Sequence, residues 1–173
     1  IIGDSLGASG LAFVSRPYNE DELGDKKVLY GPVVESALVV AFNIDRNYKP
    51  GSSLYSKNGT LVDELVLNPR LIAKLLTQSY RSDVPGGNLR DYLKDNPRSI
   101  VTDPEFRQLN PEFAEFAITA EPGGLVVSLG GNDINNYLWR WLQNDTKAKA
   151  FLNGEADDWG MKVNPAYQSL GLA

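Results

Sequence analysis

The chain has 173 residues, of which 42% are hydrophobic and 23% are charged, so it can bury the core of a soluble domain. Its formal charge of -5 argues against nucleic acids and anionic membranes as partners. The lack of cysteine and histidine excludes disulfides and thiolate chemistry, and it removes the commonest general base and metal ligand. We therefore do not expect an enzyme, because its chemistry would need paired carboxylates and no spacing in the chain indicates such a pair, and we expect no metal ion or cofactor. No apolar run approaches the roughly 18 residues of a membrane span.

The first predicted elements lie in the first 60 residues. A short strand is predicted at 11–14, and the acidic stretch at 19–23 favours a loop over a short helix. The run "ALVVAFNI" at 37–44 is apolar except at one asparagine and rich in β-branched residues, which is typical of a strand covered on both faces. Residues 45–60 carry Pro-Gly and Asn-Gly turn signals and predict an exposed loop, either hairpin-like or mobile.

The clearest helix is predicted over 69–80. Asn68 is suited to cap it and Pro69 to take its first position. Lys74 points away from the apolar face in this pattern and is expected to be solvated. The inward face is expected to carry Leu71, Ile72, Leu75 and Leu76.

Further elements are predicted in the second half of the chain. Asp103 is expected to cap a short helix at 104–109. The apolar run at 125–129 predicts a strand. Another helix is expected between Asp145 and Gly154.

A helix is also predicted at 133–143, directly after a glycine-rich turn. Either Asn132 or Asp133 can cap it, because both side chains accept hydrogen bonds from the first turn. Its buried stripe is expected to hold Ile134, Tyr137, Leu138, Trp141 and Leu142. The residues expected in the core of the whole domain are Val40, Ile72, Leu76, Val126, Leu138 and Trp141.

Strands that alternate with helices predict an α/β fold with a mostly parallel sheet flanked by helices. In such folds, ligands lie at the carboxyl ends of strands, against the first turns of helices. The turn "SLGGNDI" at 128–134 lies between a predicted strand and a predicted helix, so it is the candidate ligand loop.

Five stretches, taken in order, resemble the substrate-binding proteins of bacterial phosphate ABC transporters, most closely their actinobacterial relatives. They are "FVSRP" (13–17), "YGPVVESALVVAFNID" (30–45), "LVLNPRLIAKLLTQSY" (65–80), "DPEFRQLNP" (103–111) and "FLNGEADDWGMKVNPAY" (151–167). The resemblance implies the two-lobed fold of periplasmic binding proteins. Residues 1–30 would end the first lobe, and residues 31–173 would form an α/β domain like the second lobe.

The resemblance also implies a function and a location. We expect an extracellular or cell-surface binding module, derived from a secreted or lipid-anchored precursor, that takes a small oxyanion or another small solute. Its macromolecular partner would be an ABC permease or another cell-surface protein. The alternative is a degenerate copy of the fold that serves as an interaction or spacer module without a small ligand.

The candidate ligand-binding residues depart from the family's pattern. They are Ser15, Arg16, Ser128, Gly130, Gly131, Asn132 and Asp133. The family's phosphate loop carries an arginine and a Ser-Gly-Thr sequence, whereas this chain has "GGND" at 130–133. The family has an acid after the serine of its opposite turn, where this chain has Arg16. This exchange of acid and base predicts that free phosphate binds weakly or not at all.

Several residues allow two interpretations. Asp133 either caps its helix or lines a ligand loop, and Arg16 either holds an anion, pairs with Asp133 across the cleft or lies at the surface. Core packing is favoured for Tyr137 and Trp141 over stacking on a ligand, and Trp139 lies on another face. The acidic segment at 155–158 lacks the oxygen pattern of a calcium loop, so no metal site is expected there.

Overall fold

The structure is a computed structural model and describes residues 11, 13–18, 20–117, 124–127 and 132–168. Within them the chain forms α1 (Glu20–Leu23), α2 (Pro69–Leu76), α3 (Pro104–Leu109), α4 (Asp133–Asn144) and α5 (Thr146–Leu152). Short 3-10 turns lie at Tyr55–Lys57, Arg81–Asp83, Gly87–Leu89, Asp91–Leu93, Ile100–Thr102, Pro111–Glu115 and Pro165–Tyr167. No helix among the described residues combines the length and the hydropathy that a membrane span requires.

The predicted α/β fold with a mostly parallel sheet is wrong. The described residues form no sheet and contain only isolated antiparallel bridges, between Asp45 and Leu61 and between Tyr48 and Phe116. The predicted strand at 37–44 is absent. So is the described part of the strand at 125–129, of which residues 128 and 129 lie outside the described residues.

The reason for this difference is the missing pairing partner. Within the described residues, no backbone–backbone hydrogen bond joins 27–43 to another segment, and most side chains there are exposed. A strand is stable only when a neighbour satisfies its N–H and C=O groups, so the β-branched composition of 37–44 does not by itself produce one.

The helix predicted after Asn68 is confirmed, although it is shorter than expected. The Asn68 side chain accepts a hydrogen bond from the Leu71 N–H at 2.8 Å, and Pro69 takes the first position. The helix ends at Leu76, because Gln78 adopts a left-handed φ of 46° and the Ser79 N–H turns back to the Lys74 carbonyl at 3.1 Å.

The remaining helices agree with the sequence. Asp103 caps α3 through the Glu105 N–H at 2.8 Å. Asn132, and not Asp133, caps α4, because its side chain accepts from the Asn135 N–H at 2.9 Å. Asp145 caps α5. Against the prediction of a loop, the acidic stretch after Arg16 forms one helical turn, α1.

The core lies where α2 packs against α4 and α5. The predicted core residues Ile72 and Leu138 are buried, and Leu76 is half-buried against the core. Val40, Val126 and Trp141 are exposed, so their predicted burial is wrong. The stripe of α4 is rotated from the expected one, with Leu138 and Leu142 facing inward and Trp141 exposed, because the core that α4 forms with α2 and α5 lies on the side of Leu138 and Leu142.

The loop at 45–60 takes the hairpin-like form of its two predicted alternatives. Arg46 donates its backbone N–H to the Thr60 carbonyl at 2.8 Å, and Gly59 donates to the Arg46 carbonyl at 2.9 Å. Gly59 has a φ of 79°, which L-residues rarely adopt. The buried Tyr48 ring packs edge-on against Phe116 with a centroid separation of 5.1 Å, so this loop is anchored to the core.

The face of α4 that carries Leu142 is expected to contribute most of the stability of that helix. Leu142→Ala should lower the free energy of unfolding by about 2–5 kcal/mol, since the side chain is fully buried and its loss leaves a cavity. Leu89→Ala is the matched control, because Leu89 is 89% exposed and its loss should cost less than about 0.5 kcal/mol. Urea denaturation of both variants measures the difference in the free energy of unfolding. If both substitutions lower it equally, the Leu142 side chain does not lie in the core.

Candidate functional site

A small pocket forms where the segment before α1 meets the first turn of α4. Its volume is about 280 Å³. Its lining consists of Phe13, Val14, Ser15, Arg16, Tyr18 and Asp133. The pocket therefore combines aromatic rings with a hydroxyl, a guanidinium and a carboxylate, drawn from two segments that are far apart in the sequence.

Asp133 joins the two segments. Because Asn132 caps α4, the Asp133 carboxylate is free to point away from its own helix. One of its oxygens, Oδ1, accepts from Arg16 Nε at 3.3 Å, and the other, Oδ2, accepts a hydrogen bond from the Ser15 hydroxyl. The structure thus confirms the alternative in which Arg16 pairs with Asp133, and the alternative in which Asp133 caps its helix is wrong.

Arg16 has a second and closer acidic partner, Glu22 of α1. Arg16 Nη1 lies 3.0 Å from Glu22 Oε2 and Nη2 lies 3.0 Å from Glu22 Oε1, which is a bidentate pair. The hydrogen bonds and charge of Glu22, with a smaller contribution from Asp133, raise the pKa of Arg16 above its ordinary value. Two carboxylates therefore oppose one guanidinium at this pocket.

Sequence reasoning missed two residues of this site. Glu22 was assigned to a solvated loop, and Tyr137 was assigned to the buried stripe of its helix. The Tyr137 hydroxyl instead donates a hydrogen bond to the Ser15 carbonyl oxygen, and its side chain is half-exposed. The available signal for Glu22 was its place six residues after Arg16, where a single helical turn brings the carboxylate back toward the guanidinium.

The predicted site residues are thus brought together in part. Ser15, Arg16 and Asp133 are in direct contact, and Asn132 acts as a helix cap beside them. Ser128, Gly130 and Gly131 lie outside the described residues.

An apolar groove lies on the other side of Tyr137. Its volume is about 570 Å³. Its lining consists of Leu38, Val39, Val40, Phe42, Leu65, Leu67, Ile72, Tyr137, Leu138 and Trp141. Tyr137 and Trp141, for which core packing was favoured, form one edge of this groove instead. Trp139 is half-buried and packs against the core.

A second polar cluster is fully buried and has the spacing of a metal site. One carboxylate oxygen each from Asp103, Glu105 and Asp157 lies within 4.8 Å of the others. The Lys74 ammonium, however, stands among them, with Nζ at 2.8 Å from Asp103, 2.9 Å from Glu105 and 2.7 Å from Asp157. The lysine supplies the positive charge that these acids require, so we interpret the cluster as structural.

The expectation that Lys74 is solvated is wrong, since its side chain is 0% exposed. Lys74 lies three residues after Leu71 and therefore shares the inward face of α2 with it. The ammonium group donates hydrogen bonds to Asp103 and Glu105, and it lies within ion-pair distance of Asp157. A helix-period pattern does not reveal this arrangement, because the acids that stabilise the charge come from other parts of the chain.

Neighbouring groups complete the network around Lys74. The Tyr80 hydroxyl donates to Asp103 Oδ2 at 2.8 Å, and Arg70 Nε donates to Glu105 Oε2 at 2.9 Å. Arg70 also pairs with Asp158 at 2.8 Å. Asp157 and Asp158 of the acidic segment thus pair with cationic side chains of α2.

The ionisation of the cluster follows from its burial and its charges. Burial opposes the charged form of Lys74, but the carboxylates, with Asp103 first, outweigh it and raise the pKa of Lys74. Burial likewise opposes the charged form of Glu105, but Arg70 and Lys74 lower the pKa of Glu105 below its ordinary value. Burial, together with the Asp103 charge, raises the pKa of Tyr80 well above its usual range.

Comparison with known proteins finds no family model, no curated protein and no solved structure that matches this chain.

Removal of the buried ammonium is expected to be strongly destabilising. Lys74→Met should lower the free energy of unfolding by about 3–5 kcal/mol, because it leaves carboxylates buried without their counter-charge. Lys149→Met, at an exposed position of α5, should change it by less than about 0.5 kcal/mol. Chemical denaturation at pH 7 measures both, and a cost below about 1 kcal/mol for Lys74→Met would contradict the structural role of the cluster.

The same cluster is expected to make stability fall in acid. A carboxyl whose pKa is lowered on folding stabilises the protein above its unfolded pKa, about 4.3 for Glu105, and this contribution is lost as the pH falls through the folded pKa. The raised pKa of Lys74 affects stability in alkaline solution. The stabilisation that the charged Lys74 provides is complete below about pH 10.4, and it is lost as the pH rises above that value.

Thermal unfolding between pH 3 and pH 7 measures the acid side of this dependence. Glu105→Gln should flatten the slope below about pH 4.3, because the variant has no carboxyl to titrate at that position. Glu155→Gln is the control, because Glu155 is exposed, and it should leave the slope unchanged. If Glu105→Gln does not alter the slope of stability against pH, other groups cause the loss of stability in acid.

Proposed function

We propose that this chain is a non-catalytic solute-binding module, resembling the binding components of phosphate importers, whose pocket excludes free phosphate. Its ligand is a small neutral or zwitterionic solute. The module works outside the cell or at the cell surface, and an ABC permease is its partner in transport. The observation that carries the proposal is the pairing of Arg16, a lining residue of the pocket, with two carboxylates, those of Asp133 and Glu22.

The charge of the pocket argues against phosphate. Arg16 is the basic residue of the lining, and its charge is countered by Asp133 in the pocket and by Glu22 behind it. A phosphate ion would have to displace one carboxylate and approach the other. Like charges at short range repel one another. Solvent weakens this repulsion at partly exposed groups, but the electrostatic energy between phosphate and the carboxylates remains unfavourable.

The hydrogen-bonding groups of the pocket suit a ligand that donates. The Asp133 carboxylate retains lone pairs after it accepts from Ser15 and Arg16, and the Ser15 hydroxyl oxygen can accept as well. The Phe13 and Tyr18 rings offer apolar faces beside these acceptors. A small solute with hydroxyl or ammonium donors satisfies both features, and the volume of about 280 Å³ limits its size.

A second function is favoured by the apolar groove. Leu38, Val39, Val40 and Trp141 are exposed along it, and a contiguous apolar surface of this kind is typical of protein interaction sites. In this case the chain is an interaction or spacer module, and the polar pocket serves only to tie the segment before α1 to α4.

A ligand screen separates these functions. Thermal unfolding is measured with phosphate, sulfate, amino acids and small sugars, and each shift is followed by calorimetry. A bound solute at about 100 times its dissociation constant adds about 2.7 kcal/mol to the stability. We expect no shift with phosphate or sulfate at 10 mM and a shift with a neutral or zwitterionic solute.

Variants place the bound solute in the pocket. Ser15→Ala should weaken binding of that solute at least tenfold, because the substitution removes a lining hydroxyl. Ser56→Ala, at an exposed position outside both the pocket and the groove, should leave the affinity unchanged. Micromolar phosphate binding by the wild type would overturn the proposal, and no binding by any solute would favour the interaction module.

A further inference from the structure

We infer that Glu22 of α1 determines whether this pocket can hold an oxyanion, and that Asp133 does not determine it alone. The inference rests on the proposed function, because it concerns the specificity of the same pocket. It assigns to Glu22 a role that the sequence pattern gave only to Asp133 and Arg16.

The contact of Glu22 with the Arg16 guanidinium is closer than that of Asp133. Glu22 contacts Arg16 through two hydrogen bonds of 3.0 Å, whereas Asp133 contacts it through one of 3.3 Å. The paired, parallel arrangement is the one in which carboxylates and phosphates bind arginine best. Glu22 therefore already occupies the face of Arg16 that an oxyanion would need.

The donors of Arg16 are nearly all in use. A guanidinium has five N–H groups. Nε donates to Asp133, Nη2 donates to Glu22, and Nη1 donates to Glu22 and to the Pro17 carbonyl oxygen at 3.2 Å. Among the described residues, one Nη2 hydrogen has no acceptor, and a single donor does not make the two-point contact that selects an oxyanion.

This count separates the effects of the two acids. Asp133→Ser frees Nε but leaves the bidentate pair with Glu22 intact, so the face of the guanidinium stays covered. Glu22→Gln replaces the charged bidentate partner with a neutral and weaker acceptor that an oxyanion can displace, but it leaves the Asp133 charge at the edge of the pocket. Both carboxylates must be removed before an oxyanion finds free donors and no repelling charge.

The position of Glu22 makes it suitable for substitution. It lies in a four-residue helical turn without buried residues, and its side chain is 38% exposed. Its neighbour Glu20 is also exposed and provides a matched control of the same charge and the same helix. Replacement of either acid by glutamine should therefore leave the fold unchanged.

Calorimetry with inorganic phosphate tests the inference on four proteins: the wild type, Glu22→Gln, Asp133→Ser and the double variant. The double variant should bind phosphate at least tenfold more tightly than either single variant. Each single variant should bind it no more than about threefold better than the wild type. Glu20→Gln combined with Asp133→Ser should behave like Asp133→Ser alone, and thermal unfolding should show that every variant is folded.

The ¹⁵N resonance of Arg16 Nε gives a second readout that does not depend on affinity. It should shift on phosphate addition in the double variant and stay unchanged in the wild type. Full phosphate affinity in Asp133→Ser alone would overturn the role of Glu22, as would a folded double variant that fails to bind phosphate. In both cases the proposed function would stand if the wild type still binds a neutral or zwitterionic solute and rejects phosphate.

Discussion

The contact of the Lys74 ammonium with three buried carboxylates is the interaction on which the described fold depends. It joins α2 to the cap of α3 through Asp103, to α3 itself through Glu105 and to the segment after α5 through Asp157. A buried charge is costly unless every partner is present, so the elements that supply the partners must form together. Leu71 of α2, Phe106 of α3, and Met161 and Val163 of the last segment also contribute to the same hydrophobic core.

Local features of this fold could be predicted from the sequence, whereas features that need distant partners could not. The caps at Asn68 and Asp103 depend on residues within one turn, and both were predicted correctly. The burial of Lys74 depends on acids that lie 29 and 31 residues away and on a still more distant aspartate. The strand at 37–44 needs a neighbouring strand, which composition does not reveal, and the predicted sheet is therefore wrong.

In the candidate site, too, some contacts could be predicted from the sequence and others could not. The pairing of Arg16 with Asp133 was among the predicted alternatives, because the sequence places a base and an acid on two segments that were expected to face one another. Glu22 was not predicted, since its spacing of six residues from Arg16 brings the two side chains together only if the acidic stretch forms a helical turn, and a loop was expected there. The role of Asn132 as the cap, which frees the Asp133 side chain, also required the geometry of the first turn of α4.

The apolar segment at 27–43 forms no backbone–backbone hydrogen bond with another part of the described chain, which has a consequence for the behaviour of the protein in solution. Exposed main-chain groups beside exposed valine and leucine side chains favour contacts between copies, and net charge is the force that keeps such copies apart. The charge of -5 at pH 7 vanishes near the isoelectric point of about 4.8. Repulsion between molecules is therefore weakest near that pH, so mild acid favours aggregation. Stability decreases further as the pH falls through the lowered pKa of Glu105.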